Sequence, residues 1–287
     1  MSPGAALPGQ VSSPAARPVP VLLPGVERVD LRAPVFISDL HLCVARPATV
    51  QRFLAFLDEI AGQTGELLIL GDLFEYWAGD DALADSDPDD RLAHEVAGAL
   101  HALASGGTLV YIMRGNRDVL LGEDFLAASG AQLLADPALA RIGTDASGEE
   151  LVLAHGDAYC TFDTAYQAFR KHARDPKYQA EFLSHPLAQR LAMIGQGREQ
   201  SAAEKRKLAM QIMDVAAGAI DEALRAAGRQ TMIHGHTHLP ARHDFTLDGR
   251  PARRWVLTDW DLEAAAERRR GGGLRWVDGQ LETFSLT

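Results

Sequence analysis

Cysteine is nearly absent: two residues, Cys43 and Cys160, occur in 287. A disulfide-built scaffold is excluded, and the chain reads as one suited to a reducing compartment. No apolar run approaches the roughly 18 residues a membrane-spanning helix needs. Positive charge is also short. Lys and Arg number 28 against 39 Asp and Glu, a net charge of −11. That excludes a protein gripping nucleic acid through its overall field, although a local basic patch remains open. The N-terminal stretch has no early basic cluster and no sustained apolar segment, so it does not read as a secretory signal. Its Pro, Gly, Ala and Ser content predicts a disordered leader over residues 1–33.

What remains is ordinary globular material, 47% hydrophobic and 23% charged, enough for a substantial core. From residue 34 onward, short apolar runs alternate with helical patterns. The runs are Val35-Phe36-Ile37, Leu67 to Leu70, Leu109 to Met113, Leu151-Val152-Leu153 and Thr231-Met232-Ile233. Short continuous runs bounded by Gly or polar residues suit strands buried on both faces. Between the first two, Val50, Phe53, Leu54, Leu57 and Ile60 recur at helical spacing, and residues 91–104 form a second helical stretch. The alternation predicts a layered α/β domain spanning 34–287. Residues 162–227 break it, reading as several helices without a strand, a candidate lid. The tail returns to β-like runs with Gly-rich turns, suiting an antiparallel finish.

Five segments share one feature: a strand-like run ends and a metal-capable residue follows at once. They are Asp39-Leu40-His41, Gly71-Asp72, Gly115-Asn116-Arg117-Asp118, His155-Gly156-Asp157 and Gly235-His236-Thr237-His238. In an open α/β sheet the carboxyl ends of strands line the ligand crevice, so these groups would converge. Carboxylate, amide oxygen and imidazole together suit borderline divalent ions, and two such ions clamp an in-line displacement at phosphorus. Each piece is weak alone: Gly-Asp is commonly a turn, and a lone histidine commonly a core residue. Order, strand context and glycines together carry the reading. His234 reads as structural rather than as a ligand.

These motifs resemble the calcineurin-like metallophosphoesterases, whose pattern runs Asp-x-His, Gly-Asp, Gly-Asn-(His/Arg)-Asp/Glu, His, Gly-His-x-His. The resemblance implies a sandwich of mixed sheets flanked by helices. It implies two divalent ions, with Mn2+ expected. Asp39, His41 and His238 would hold one, Asn116, His155 and His236 the other, and Asp72 would bridge both. Gly-Asn-Arg in place of the commoner Gly-Asn-His narrows the likeness, as do Phe74-Glu75-Tyr76-Trp77 and Tyr166-Gln167-Ala168-Phe169-Arg170. All three point to the branch that hydrolyses UDP-2,3-diacylglucosamine for lipid A synthesis, a reaction releasing UMP. That branch implies a cytoplasmic monomer peripheral on the inner-membrane surface, with no nucleic-acid partner.

By the same resemblance Asp72 and Arg117 are catalytic. Asn116, Arg117, Asp163, Ser201, Lys205, Leu208 and His236 would contact substrate. Asp163 reads equally as a helix N-cap. Ser201 matches the branch, but Lys205 and Leu208 fall where it carries Asn and Lys, and Lys205, Arg206 and Lys207 could supply that charge in a shifted register. Arg268-Arg269-Arg270 reads either as a solvated turn or as a contact for anionic lipid. Competing functions are another binuclear phosphoesterase and a catalytically dead metal-binding scaffold.

Overall fold

The computed structural model describes residues 25–84, 88–143, 148–205 and 214–287, without the side chains of 84, 89, 90 and 198–205. Strand β1 is Val26–Leu31, β2 Pro34–Ile37, β3 Glu66–Leu70, β4 Leu109–Met113, β5 Gln132–Ile142 and β6 Glu149–Ala154. After an insertion come β7 Thr231–His234, β8 Ala241–Leu247, β9 Arg250–Val256, β10 Gly272–Val277 and β11 Gln280–Ser285. They form one sheet in the order β11-β10-β2-β3-β4-β5-β6-β7-β9-β8, with β1 pairing off this path on β5. Every residue of β2, β3 and β7 is buried, as their continuous apolar runs predict.

The sheet is divided at β5. Gln132 to Leu134 pair parallel with β4, whereas Ala138 to Ile142 pair antiparallel with β6. Pro137 has no N–H to give a ladder. The two halves then face each other across a core of Phe36, Leu68, Met113, Leu151, Ile233 and Trp255. Helices α1 Pro47–Ile60, α2 Pro88–Ser105 and α3 Glu123–Ser129 cover the outer face of the first half. The result is helix, sheet, sheet, helix: the expected α/β sandwich.

Two boundaries differ from the sequence reading. The leader expected over 1–33 contains β1, because Val29 and Leu31 bury themselves beside β5. Residues 1–24 lie outside the described residues. The helical stretch expected over 162–227 holds α4 Thr164–Ala173, α5 Pro176–Ser184, α6 Leu187–Lys205 and α7 Ala217–Ala227. Of these, α7 turns Ile220 and Leu224 onto Val152 and Met232 of the second half-sheet, so it is the outer layer of the sandwich. No described helix is long and apolar enough to cross a membrane.

Candidate metal centre

Bending at β5 brings the C-terminal ends of β2, β3 and β4 against those of β6 and β7. His155 Nδ1 lies 2.9 Å from the Leu70 carbonyl, and the His236 amide donates to Asp39 Oδ2 at 2.8 Å. Two donor clusters form there. Asp39, His41 and His238 make the first, Asp72, His155 and His236 the second, each with its donor atoms within 4.8 Å of one another. Asp72 stands between them: Oδ2 is 3.9 Å from His41 Nε2 and Oδ1 is 3.7 Å from His155 Nε2. Asn116 joins the second, its Oδ1 3.1 Å from His155 Nε2. All seven residues expected to bind metal therefore meet in one place.

The backbone is bent to achieve this. Asp39, His41, Asp72, His236 and His238 all have φ between 51° and 68°. An L residue pays about 1–3 kcal/mol for such a conformation, and clusters of it mark functional sites. Beyond these five, Asp248 and Asp278 share it, each before a glycine in a hairpin turn. Close approach sets two of the motif glycines. A Cβ on Gly115 would fall on the Asp72 carboxylate, and one on Gly235 on the carboxylate of Asp39.

The donor set fits divalent cations. Asp39 Oδ1 is buried without a hydrogen-bond partner, although its Oδ2 accepts from Ser38 Oγ at 2.6 Å. His41 Nε2 and His238 Nε2 sit 3.2 Å apart, and a cation between them would remove the need for a proton there. Burial disfavours charge on Asp39, yet pairing with His238 and the nearby imidazoles of His155 and His41 hold its carboxyl well below the usual range. Burial likewise opposes an imidazolium at His155, but Asp72, Asp157, Asp39 and Asp136 push it up to about 9. So much negative charge in one buried place calls for positive charge.

Several residues inside the quoted motifs have roles that the motifs alone do not assign. Asp118 is fully buried and accepts from the backbone amides of Leu73 and Gly115, both at 2.8 Å, splinting the Gly-Asp and Gly-Asn loops together. Burial first, then Asp72, pushes its carboxyl up to about 6. Asp157 is buried and pairs with Arg170 Nε at 2.9 Å and Arg174 Nη1 at 3.2 Å, and accepts from the Tyr166 hydroxyl at 2.8 Å. Gln167 donates to the carbonyls of Asp157 and Cys160. The Tyr166 to Arg170 motif is thus what fastens α4 beside the clusters. Glu75 faces both His41 and Arg117.

The expected substrate contacts divide. Asn116, Arg117 and His236 lie at the clusters, with the Arg117 side chain 30% exposed. Asp163 caps α4, accepting from the Tyr166 amide at 2.9 Å, the alternative its position had suggested. Ser201 and Lys205 lie on α6. Leu208 lies outside the described residues. His234 is fully buried, Nδ1 against the Gly235 carbonyl.

Residues 34–240 match the family model described as calcineurin-like phosphoesterase. The chain is 48% identical over 239 residues to the UDP-2,3-diacylglucosamine hydrolase of Aromatoleum aromaticum, covering 83% of this chain and 94% of that protein. Proteins of the same name from Chromohalobacter salexigens and Bordetella pertussis are 46% and 42% identical. These alignments cover 79% and 91% of this chain, and 88% and 98% of those proteins. Among solved structures, vacuolar protein sorting 29 of Cryptosporidium parvum aligns over 88% of this chain and 96% of its own, at 12% identity and TM-score 0.41.

Proposed function

The chain belongs to the calcineurin-like phosphoesterases, and we propose that it hydrolyses the pyrophosphate bond of UDP-2,3-diacylglucosamine, giving UMP and 2,3-diacylglucosamine 1-phosphate. The observation that carries the reading is a pair of cation-ready clusters, with Asp72 between them, in a chain 48% identical to a hydrolase of that name. Asp39, His41 and His238 would hold one divalent ion, Asn116, His155 and His236 would hold the other, and Asp72 would serve both. When bound, such ions lower the pKa of an attacking water and offset the charge of the phosphates.

The chain's own residues orient the substrate. A pyrophosphate diester carries two negative charges into a protein of net charge −11, so local donors must receive it. Arg117, planar and partly exposed, offers paired N–H groups to phosphate oxygens, while its backbone amide holds Asp72 Oδ1 at 2.8 Å. Tyr166 lies against His236, ring centroids 5.8 Å apart, and limits the ring's freedom on that side. The acyl chains need an apolar slot. An apolar pocket of about 40 Å³ between α6, α2 and the loop after β3, lined by Phe74, Trp77, Leu92, Leu187 and Leu191, marks where such a slot starts, and α6 must shift to lengthen it.

Mn2+ is the ion we assign, and the monomer the working form. A substrate with two acyl chains supports work at the cytoplasmic face of the inner membrane. The test is to supply purified protein with Mn2+ and UDP-2,3-diacylglucosamine and follow UMP. Release that EDTA abolishes and Mn2+ restores is expected. Hydrolysis of a generic phosphodiester with no UMP from the lipid substrate would move the chain to another branch of the family.

A further inference from the structure

The first cluster is braced from behind by carboxylates. His41 Nδ1 is buried and makes no aligned hydrogen bond, and Glu75 Oε2 stands 3.0 Å from it. Glu75's other oxygen is 3.8 Å from Arg117 Nη1. His238 Nδ1 lies 3.6 Å from Asp259 Oδ2, and Asp259 is gripped by Arg270 at 2.7 and 2.8 Å. The second cluster differs: His155 Nδ1 faces the neutral Leu70 carbonyl.

We propose that Glu75 is a positioning residue for His41, fixing its ring so that Nε2 faces the first cluster. The proposal rests on reading Asp39, His41 and His238 as one ion's ligands. An imidazole can give one nitrogen to a cation only if the proton sits on the other, and an anionic acceptor there fixes that tautomer and makes the free nitrogen more basic. The local fold places Glu75 for this task. The His41 amide donates to Asp72 O at 3.0 Å, that of Leu42 to Leu73 O at 2.9 Å, and that of Glu75 back to Leu42 O at 3.1 Å. Zipped in this way, the two ligand loops hold Glu75 beside His41. An acid present only to balance Arg117 would have no reason to turn its second oxygen onto a buried ring nitrogen.

The test is calorimetric titration of the full chain, stripped with EDTA, with MnCl2. Wild type should take two equivalents. Glu75→Gln keeps the shape but not the charge, and should weaken one of the two binding steps about 10–100-fold. Its melting temperature in EDTA should match wild type, since the loss acts on the ion and not on folding. Two Mn2+ bound as tightly as in wild type would overturn the proposal. So would a lower metal-free melting temperature with both steps weakened alike, the mark of a structural role. His41→Ala separates the underlying reading: if it too leaves both steps intact, His41 is no ligand and the cluster assignment fails with the proposal.

Discussion

At the scale of single residues, Asp72 concentrates the most consequence. Its two oxygens face different clusters, so Asp72→Ala should lose both ions together. Activity should fall by more than the roughly 100-fold typical of outer partners of metal ligands. Elemental analysis of the variant checks the first statement and the UMP assay the second; a full pair of ions in Asp72→Ala would contradict the bridging role. His155 carries a pH prediction for the metal-free chain. Its folded pKa of about 9 lies above the ordinary 6.5, so the protonated ring favours the folded state. That stabilisation is complete below about pH 6.5 and is lost as pH rises through 9. Urea midpoints in EDTA should therefore decline across that window. Mn2+ should remove the decline, because the ion takes the proton's place.

At the scale of elements, the helices over the site are bolted rather than hung. Asp157, with Asp136, holds Arg170 of α4 and Arg174 at its C-terminal cap. On α6, Arg190 is 1% exposed and donates to the Ala78 carbonyl, the Asp81 carboxylate and the His185 carbonyl. Gly79 makes room for it, since a Cβ there would strike the guanidinium. Arg190→Ala should cost about 2 kcal/mol of stability, the worth of a buried charged hydrogen-bond set, read as a lower urea midpoint in EDTA. Leu187 and Leu191, half-buried in the apolar pocket, invite a different test. Leu191→Gln should spare hydrolysis of a small phosphodiester and slow turnover of the diacylated substrate, because remote binding energy is lost from the transition state. Equal losses on both substrates, in a protein of unchanged melting temperature, would make the pocket mere packing.

Across the whole molecule, legibility followed locality. Asp39, His41, Asp72, Asn116, His155, His236 and His238 each lie within a few residues of an apolar run, so strand and ligand could be read as one signal. Strand β8, Ala-Arg-His-Asp-Phe-Thr-Leu, gave no such signal: it is a sheet edge, mostly exposed, and its composition answers to solvent. Strand β5 contains Pro137 and serves both halves of the sheet, so neither a continuous nor an alternating pattern describes it. The partnerships of Glu75 with His41, Asp118 with Gly115 and Leu73, and Asp157 with Arg170 depend on tertiary approach, which no spacing encodes. The same holds for α7, whose amphipathic pattern fits a lid as well as a layer.

The five left-handed ligand backbones have a consequence for drift. At His238, 39% exposed with φ of 55°, glycine would relieve about 1 kcal/mol or more and leave little behind unpacked. Stability alone therefore pulls such positions away from the side chains that chemistry needs. A descendant released from catalysis would gain firmness by shedding His238 first. It would keep Asp39 and Asp72 longest, since their carboxylates accept from the backbone amides of His236 and Arg117. The sandwich would outlive its reaction, becoming a sturdier and silent surface.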